Sequence, residues 1–436
     1  KKSYALPYVA NEQDFKHCAR LANESMLELT HRIPAPIQLN VPMLDTELGQ
    51  DNVESLPKIK IIRRYTRADL ANIELNDKRI LIVVGENRGY DDTTIVEFAK
   101  SHNAAIYVNQ LSNMRNDYTV EGNLLLTLIS QDRFDEEFAP EILISIDGQT
   151  GDYPLYHKLA EGNTRFEHWR ICPSGEIVDT YDRLTKVFEC SVDAFFGSIK
   201  SECIDNQYLH VWKDAISKLN TKIELPLSNA YTAQQLHSLI PEGSYVNFAI
   251  LNSLRMWNLF HFKNKVHCYS NVGAFGIDGG LSTFIGQSVM TDNLCYMIIG
   301  DLAFFYDMNA LGIRHIKNNI RVILVNNQGG IEFKYGVGEE RGKNIDRYIA
   351  AAGHFRDAEG WAITNNFEYH KVETKKEFDK ITDRLVSKTE NPILIEVCTT
   401  DLKESEAMNC ISKANDNRSL SEKISNRLKF EVKKLI

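Results

Sequence analysis

One aspartate and a pair of asparagines are the residues of this chain whose types and spacing predict chemistry. Asp301 follows a short apolar run at residues 294–299. Asn326 and Asn327 follow a second such run at residues 320–325, with 24 residues between them and the aspartate. Carboxylate and amide oxygens, joined by a backbone carbonyl, are hard ligands of the kind that Mg²⁺ binds, usually together with phosphate and water. The pattern therefore predicts a site for a divalent cation and a phosphate group.

The elements around these residues must bring them together. Both apolar runs are short, rich in Ile, Leu and Val, and bounded by polar or glycine positions, which is typical of buried parallel strands. Between them, residues 304–316 have apolar positions at helical spacing. A right-handed strand–helix–strand crossover would place Asp301 and Asn327 at the carboxyl ends of two strands of one sheet. Gly329 and Gly330 would then let the backbone approach the phosphates closely.

These motifs resemble those of thiamine diphosphate (ThDP) enzymes, in which Gly-Asp is followed at this spacing by Asn-Asn. Most such enzymes have Gly-Asp-Gly, whereas Leu302 follows here, and residues 306–311 resemble the MenD family, whose members make SEPHCHC in menaquinone biosynthesis. The blocks at residues 251–254, 269–279 and 281–283 resemble the same family. The resemblance implies an α/β ThDP-enzyme fold, with a parallel-sheet middle domain and a parallel-sheet diphosphate-binding domain, and it implies ThDP and Mg²⁺ as cofactors.

The resemblance also implies roles for individual residues. Asp301, Asn327 and the carbonyl of Gly329 are the expected metal ligands. Ile277 is expected to be the bulky aliphatic wedge that folds the cofactor into a V, so that its 4′-imino group reaches the thiazolium C2 proton. The expected cofactor-binding residues are Asn252, Ser253, Gly276, Ile277, Asp301, Leu302, Ala303, Asn327, Gly329, Gly330 and Ile331.

Several of these assignments have a structural alternative. Asp301 could be a helix N-cap, because aspartate is favoured there. Asn252 and Ser253 could cap the end of a strand instead of donating hydrogen bonds to a diphosphate. Ile277 could be an ordinary core residue. His354 belongs to no motif and receives no role from the sequence.

The substrate side departs from the family pattern. Trp257 and Val272 stand where the family has arginines that bind substrate carboxylates, although Arg255 lies close by. Glu332 stands where the family usually has an aliphatic residue and adds negative charge there. Loss of both guanidinium groups would remove bidentate carboxylate recognition. The predicted substrate contacts are Arg255, Trp257, Val272, Glu332 and Phe333.

We therefore expect a ThDP- and Mg²⁺-dependent 2-oxo acid decarboxylase or carboligase with a substrate altered from that of the menaquinone enzyme. Two alternatives stay open. One is a genuine SEPHCHC synthase, acting on 2-oxoglutarate and isochorismate, whose carboxylate contacts have moved, for example to Arg255. The other is a non-catalytic ThDP-fold homologue or fragment. In this superfamily a glutamate of the pyrimidine-binding domain activates ThDP, and because Glu24 and Glu28 match no motif, no catalytic residue is assigned.

Four segments are predicted along the chain. Residues 1–60 hold one helix and one strand, too little for a core, and are expected to be the end of a pyrimidine-binding domain plus a linker. Residues 61–225 have strand-like runs at residues 79–84, 104–108, 141–146 and 166–172, which alternate with helical patterns. The Gly-x-Gly-x-x-Gly fingerprint is absent, so a structural α/β domain is favoured over a flavin or nicotinamide site. Residues 226–405 carry the diphosphate site, and residues 406–436 form a charged tail.

Composition limits the class of protein. The chain has 436 residues, of which 43% are hydrophobic and 25% charged, with a formal net charge of −9. These values are ordinary for globular enzymes and leave no basic footprint for nucleic acid or an anionic membrane. No apolar run reaches the length of a membrane span, and no signal-peptide pattern opens the chain. We expect a cytoplasmic homodimer or homotetramer that acts on a small-molecule 2-oxo acid.

Overall fold

A computed structural model gives the structure of the protein and divides it into two compact units. The first unit comprises Lys1–Gly122 and Ser130–Asp214, and the second comprises Asn123–Ile129 and Ala215–Ile436. No helix in the described part of the chain is long and apolar enough to cross a membrane. The structure describes residues 2–42, 58–87, 91–199, 206–333 and 353–416, apart from positions 74, 76, 147 and 274.

The first unit contains a two-stranded and a seven-stranded parallel sheet. β1 pairs with β2, and the larger sheet has the order β3-β9-β8-β7-β4-β5-β6. The strands are β1 (Ser3–Ala5), β2 (Gln38–Asn40), β3 (Arg63–Thr66), β4 (Ile80–Val84), β5 (Ala104–Tyr107), β6 (Thr119–Val120), β7 (Ile142–Ile146), β8 (Glu167–Ile171) and β9 (Leu184–Glu189). The helices are Glu12–Thr30, Thr93–Ser101, Gln131–Arg133, Tyr153–Glu161, Val192–Ser198 and Gln207–Ser217, with shorter turns at Arg67–Asn72, Gln110–Ser112 and Phe134–Phe138.

The apolar strands of this unit agree with the sequence, and the polar ones do not. The predicted strands at residues 79–84, 104–108, 141–146 and 166–172 are β4, β5, β7 and β8, with bounds within one residue of the prediction. β3 and β9 have mixed polar sequences and were not predicted, nor was β1, which pairs with the predicted strand β2. A short strand or one of mixed polarity carries no continuous apolar run by which a sequence could reveal it.

The point where the strand order of the larger sheet reverses lies between β4 and β7, where doubly wound folds bind nucleotides. The backbones that follow these two strands touch. A Cβ atom on Gly85 would lie 2.6 Å from the carbonyl oxygen of Gly148. The amide of Glu86 donates a hydrogen bond to the carbonyl of Gln149 at 2.9 Å. This contact occupies the place that a pyrophosphate would enter and supports the interpretation of the unit as structural.

The segment before residue 60 belongs to the first unit and contacts the rest of it through polar groups and through Leu27. His31 and Arg32 both bind the carboxylate of Glu189 on β9, at 2.9 Å and 2.7 Å. Apolar side chains of this segment stay exposed, among them Met26 at 65% and Ile33 at 75%. The predicted boundary at residue 60 therefore does not coincide with a boundary between compact units, and the four-segment division stays a prediction.

The second unit is built on a six-stranded parallel sheet of order β11-β10-β12-β13-β15-β14. Its strands are β10 (Tyr245–Phe248), β11 (His267–Ser270), β12 (Cys295–Gly300), β13 (Ile320–Asn326), β14 (Glu368–Val372) and β15 (Ile393–Cys398). Its helices are Asn123–Leu128, Asn229–Leu236, Asn252–Trp257, Gly280–Ser288, Asp301–Asp307, Glu359–Thr364, Lys375–Leu385 and Asp401–Ala414, with 3₁₀ turns at Met308–Gly312 and Ile331–Phe333.

The two strands that carry the predicted metal motif are confirmed. β12 and β13 pair in parallel with Ile298 opposite Ile323, and both strands are buried almost throughout. The helix predicted at residues 304–316 is wrong in its extent, because the α-helix spans Asp301–Asp307 and gives way to the 3₁₀ turn Met308–Gly312. Asn, Gly and Asp are poor helix formers and end the helix early. The helix Asp401–Ala414 continues into the predicted tail, whose residues from 417 onward lie outside the described part.

Candidate functional site

A cleft opens at the carboxyl edge of the second sheet. It lies beside β10 and β12, where the strand order reverses. Open α/β sheets bind ligands at this position, because loops diverge there and leave a crevice. Three predicted cofactor residues contribute to its wall. The lining includes Asn247, Ile250, Ser270, Gly276, Ile277 and Ala303.

Two of the predicted metal ligands converge in the structure. Asp301 begins the helix after β12, and the residue is buried, with only 2% of its surface exposed. One carboxylate oxygen, Oδ2, accepts a hydrogen bond from the amide of Gly329 at 3.0 Å. The amide oxygen of Asn327 accepts from the same N–H at 3.2 Å. Two oxygens that share one donor must lie close together, which is the arrangement that a shared cation requires.

The alternative of Asp301 as a helix cap does not describe its position. Gly300 is the N-cap residue, and Asp301 lies in the first turn with Oδ1 accepting from the Leu302 amide at 2.7 Å. Burial raises the pKa of the Asp301 carboxyl, and hydrogen bonds from backbone amides and the neighbouring His354 oppose this rise. A buried carboxylate has lost water that a cation could replace.

His354 faces the same carboxylate. Its Nε2 lies 3.2 Å from Oδ2 of Asp301. Its Nδ1 accepts a hydrogen bond from the Arg356 amide at 3.1 Å, so in the neutral ring Nε2 carries the proton on the side of Asp301. The backbone amide of His354 donates to the carbonyl of Gln328 at 3.0 Å. His354 therefore lies against the carboxylate of Asp301, and the sequence left it without a role because no motif surrounds it.

The two asparagines have different surroundings. Asn326 is 5% exposed, and its Nδ2 donates to the Glu396 carboxylate at 2.6 Å and to the Arg356 carbonyl at 2.9 Å. Its Oδ1 accepts from the amide of Gln328 at 3.1 Å. Gln328 itself has φ +66°, a left-handed conformation that reverses the chain between the asparagines and the glycines. These contacts occupy Asn326 and leave Asn327 as the better ligand of the pair.

A fully buried carboxylate supports this loop from the neighbouring strand. Glu396 on β15 is 0% exposed and receives three donors. Oε1 accepts from Asn326, while Oε2 accepts from the Ala358 amide at 2.9 Å and from the Tyr369 hydroxyl at 2.8 Å. Burial and the Glu396 carboxylate raise the pKa of the Tyr369 hydroxyl, so this group stays a donor. Glu396 fixes the side chain of Asn326 and the start of the helix Glu359–Thr364.

The predicted diphosphate residues lie at the start of a helix beside the cleft. The helix Asn252–Trp257 follows Leu251, which has φ +63° and ψ −123°. Such strain in a residue with a Cβ atom costs on the order of 1–3 kcal/mol and concentrates at functional sites. Among the described residues, the Oδ1 atom of Asn252 and the Oγ atom of Ser270 are buried and have no hydrogen-bond partner. Ser253 is buried beside them, 3% exposed.

Unpartnered buried polar atoms are uncommon, and a bound ligand is one explanation for them. A carboxamide can rotate to present its Nδ2 donor instead of Oδ1. The structure therefore favours the diphosphate role of Asn252 over simple capping. Ser270 was not assigned from the sequence, although it belongs to the block 269–279 that carried the family resemblance.

The remaining predicted cofactor residues surround the same edge. Ile277 is 40% exposed, which argues against the alternative of an ordinary core residue and suits a wedge that contacts a ligand. Ala303 lines the cleft, and Leu302 lies half-buried in the same first helical turn. Gly330 is half-buried, and Ile331 is 5% exposed at the start of a 3₁₀ turn.

Two predicted substrate contacts, Trp257 and Val272, have buried side chains. Trp257 is 1% exposed and packs with its ring against Phe248 and Phe262, at centroid distances of 5.7 and 5.8 Å. Val272 is 2% exposed. The indole of Trp257 thus belongs to an aromatic cluster, and the substrate contacts of Trp257 and Val272 stay predictions. The side chain of Phe333, the fifth predicted contact, lies outside the described residues.

The surroundings of Glu332 differ from those expected from the sequence. Both of its oxygens accept from the Arg255 guanidinium, Oε2 from Nη1 and Oε1 from Nη2, each at 2.9 Å. The pair is bidentate and about three-quarters buried, with side-chain exposures of 23% and 25%. Glu332 therefore adds no uncompensated negative charge to the site, contrary to the expectation from its sequence position.

The buried carboxylate of Glu404 connects the helix Asp401–Ala414 to the site. Glu404 is 2% exposed, and its Oε1 accepts from the Asn229 amide at 2.8 Å. The side chain of Asn229 donates in turn to the carbonyl of Asn252 at 3.0 Å. Burial raises the pKa of the Glu404 carboxyl to about 7, and the nearby Asp301 contributes in the same direction.

This raised pKa predicts a pH-dependent stability. Between about 4.3, the ordinary glutamate value, and about 7, the folded protein binds a proton that the unfolded chain has lost. The free energy of unfolding therefore falls as pH rises through this window. Glu404→Gln keeps an acceptor for Asn229 and cannot ionise, so we expect it to be more stable than wild type at pH 8 by on the order of 1–3 kcal/mol.

Denaturant midpoints of both proteins measured from pH 5 to pH 8 test this expectation. Glu406→Gln, at an exposed position of the same helix, is the matched control and should follow the wild-type profile. Parallel pH profiles for Glu404→Gln and wild type would show that Glu404 does not titrate in this window.

The donor set as a whole fits a magnesium diphosphate. Asp301 and Asn327 supply converging oxygens, and Gly329 and Gly330 supply backbone without side chains. Asn252 supplies an unpartnered polar group at the edge of the cleft. Hard oxygen ligands suit Mg²⁺, and polar groups near a helix start suit phosphate.

Comparison with known proteins agrees with the motifs. None of the protein-family models searched matches the chain. The chain is 30% identical over 425 residues to the 2-succinyl-5-enolpyruvyl-6-hydroxy-3-cyclohexene-1-carboxylate synthase of Bacteroides thetaiotaomicron, covering 93% of this chain and 75% of that relative. The synthase of the same name from Phocaeicola vulgatus is also 30% identical, covering 93% and 74%. That of Flavobacterium johnsoniae is 25% identical over 375 residues, covering 84% and 67%.

The resemblance stated from the Gly-Asp and Asn-Asn motifs is confirmed by these relatives, and the two large parallel sheets confirm the α/β fold that it implied. At this identity and coverage, the chain belongs to the family of 2-succinyl-5-enolpyruvyl-6-hydroxy-3-cyclohexene-1-carboxylate (SEPHCHC) synthases, the MenD family of ThDP enzymes.

Proposed function

We propose that the protein is a ThDP- and Mg²⁺-dependent enzyme that decarboxylates a 2-oxo acid and transfers the remaining fragment to an acceptor. The observation that carries the proposal is the convergence of Asp301 and Asn327 oxygens on the Gly329 amide at the carboxyl ends of β12 and β13. Membership of the SEPHCHC synthase family supports it, since its relatives bear the name of a carbon–carbon bond-forming enzyme.

Each residue group has a defined part in this proposal. When bound, ThDP supplies an electron sink for the charge that CO₂ leaves behind. Asp301, Asn327 and the Gly329 carbonyl would hold Mg²⁺, which in turn holds the diphosphate. Asn252, Ser253 and the amide of Gly330 would bind diphosphate oxygens. Ile277, exposed at the cleft, would support the bent cofactor from below.

We propose further that the substrate has a small or uncharged tail, such as pyruvate. Trp257 and Val272 are buried and apolar, and the guanidinium of Arg255 is bound to Glu332. None of these groups offers a cation to a second substrate carboxylate. A genuine SEPHCHC synthase acting on 2-oxoglutarate and isochorismate is the second candidate, favoured by the names of the relatives.

Release of CO₂ from pyruvate and from 2-oxoglutarate, at equal concentration with ThDP and Mg²⁺, separates these candidates. A lost charge-assisted carboxylate contact costs about 1.5–3 kcal/mol, so we expect pyruvate to be preferred by roughly tenfold or more. Preference for 2-oxoglutarate together with an isochorismate-dependent product would restore the menaquinone activity. No CO₂ from either acid, and no ThDP-dependent stabilisation, would identify a non-catalytic homologue.

We also propose that the protein acts in the cytoplasm as a homodimer or homotetramer, as ThDP enzymes typically do. The proposal rests on the family assignment. Light scattering tests it, and a stable monomer that turns over a 2-oxo acid would contradict it.

A further inference from the structure

The ion pair between Arg255 and Glu332 joins the two segments that carry the predicted diphosphate and metal residues. Arg255 lies one turn after Asn252, and its backbone amide donates to the carbonyl of the strained Leu251 at 2.9 Å. Glu332 lies in the 3₁₀ turn that follows Gly330. The two side chains are 77 positions apart in the chain and meet through two hydrogen bonds.

The topology places this pair across the site. β12 lies between β10 and β13 in the sheet. A bridge from the segment after β10 to the segment after β13 must therefore pass the carboxyl end of β12, which carries Asp301. The exposures of 23% and 25% place both side chains at the rim rather than in the core. The pair therefore lies at the same sheet edge as Asp301.

The geometry of the pair matches that of arginine with a bound carboxylate ligand. A guanidinium presents parallel N–H groups that fit one carboxylate bidentately, and here both Nη atoms are directed at the two oxygens of Glu332. A second carboxylate could bind these same two N–H groups only by displacing Glu332 and leaving its charge unpaired. The protein thus supplies from its own chain the group that a dicarboxylic substrate would supply.

We propose that Arg255 and Glu332 are a specificity-determining pair in which Glu332 takes the place of a substrate carboxylate and excludes 2-oxo acids with a second carboxylate. The inference rests on the proposed function of the site. It goes beyond that proposal because it assigns the discrimination between substrates to one ion pair within the protein, not to the absence of arginines at positions 257 and 272. A substitution that removes the charge of Glu332 would therefore change the discrimination.

A purely structural role for the pair is the competing explanation. Partly exposed ion pairs usually contribute little to stability, about 0–1 kcal/mol. The same unit holds a comparable pair away from the cleft, in which Arg384 binds both oxygens of Glu368 on β14. Glu368→Gln therefore removes an equivalent charge pair and serves as the matched control.

The test compares CO₂ release from 2-oxoglutarate and pyruvate by the full-length protein and its variants. In Glu332→Gln the charge that holds Arg255 is removed, so the dicarboxylate should bind more tightly. We expect the ratio of kcat/KM for 2-oxoglutarate to that for pyruvate to rise roughly tenfold, through a lower KM for the dicarboxylate. In Arg255→Gln, Glu332 keeps its charge without a partner and repels the dicarboxylate, so the ratio should fall below wild type. Glu368→Gln should keep the wild-type ratio.

The outcomes separate this inference from the proposed function. An unchanged ratio in Glu332→Gln, or an equal rise in Glu368→Gln, overturns the specificity role. Loss of ThDP-dependent stabilisation in Glu332→Gln also overturns it, because the pair would then serve cofactor binding. If wild type releases no CO₂ from either acid, the proposed function fails.

The inference can still be measured in that case, without turnover, from the thermal midpoint shift caused by glutarate relative to butyrate. A larger glutarate shift in Glu332→Gln than in wild type supports the pair as a barrier to a second carboxylate. Equal shifts in the two proteins overturn it.

Discussion

Asp301→Asn should abolish the rise in thermal midpoint that ThDP and Mg²⁺ cause in the wild-type protein. A ligand at about 100 times its Kd stabilises the native state by about 2.7 kcal/mol, which for a unit of this size corresponds to a rise of roughly 5–10 °C. The carboxamide keeps the shape of the side chain but offers a cation one neutral oxygen instead of a charged pair. The magnesium contact, and the diphosphate that depends on it, should be lost.

The midpoint without ligand should change little in the same variant. Removing the charge removes the cost of burying a carboxylate, and this cost is also what raises the pKa of Asp301. The amide group can accept only one of the hydrogen bonds now donated by Leu302 and Gly329. These effects oppose each other, and each is about 1 kcal/mol. A residue that binds a cation without stabilising the fold is expected to lose ligand binding and keep its thermal midpoint when it is substituted in this way.

Asp307→Asn is the matched control, since it lies at the other end of the same helix. Asp307 accepts from the amide and the hydroxyl of Ser282, both at 2.7 Å. This variant should lose some stability without ligand and keep the full rise with ThDP and Mg²⁺. An equal rise in wild type and Asp301→Asn, measured by differential scanning fluorimetry, would remove Asp301 from the metal site.

The sequence could predict the part of the site that depends on local pattern. β12 and β13 are continuous apolar runs, so the sequence shows where each strand ends. Asp301 and Asn327 follow these ends and are therefore predicted to lie at one edge of the sheet. Parallel strands pair across a crossover of limited length, which makes such a placement nearly unavoidable. The α/β fold was predictable because strand patterns and helix patterns alternate along the chain.

Contacts between distant positions could not be predicted in this way. Glu396 reaches Asn326 across 70 positions, and Arg255 reaches Glu332 across 77. Neither pair belongs to a motif with fixed spacing, and both are formed by neighbouring segments of the folded sheet. His354 could not be assigned for the same reason, because its only signal is its position against Asp301.

Trp257 and Glu332 show that a correct family assignment does not determine the surroundings of single residues. Trp257 aligns with a substrate-binding arginine, yet the helix Asn252–Trp257 is short and turns its last side chain into an aromatic cluster. Glu332 has the sequence context of an isolated charge because its partner lies on another segment. A partner of opposite charge balances the charge of Glu332, and only the tertiary structure reveals that partner.

Glu396→Gln should be the most destabilising of the substitutions considered, with a loss of roughly 2–4 kcal/mol in the free energy of unfolding. Three donors converge on the buried carboxylate, from Asn326, Ala358 and Tyr369. A glutamine has one acceptor oxygen and turns an NH₂ group toward the remaining donors. At least one buried donor is then left facing another donor, which costs more than a missing hydrogen bond at the surface.

The same variant should weaken ThDP binding, although Glu396 touches no ligand in the proposed site. Asn326 loses the contact that holds it in the core, and the turn through Gln328 that presents Asn327 and Gly329 loses its support. Tyr369→Phe is the graded control, because it removes one donor and leaves the carboxylate bound to Asn326. It should cost about 1 kcal/mol and keep ThDP affinity. Urea midpoints and the dependence of the thermal midpoint on ThDP concentration measure both effects, and equal small losses in the two variants, with unchanged affinity, would show that Glu396 does not position the metal loop.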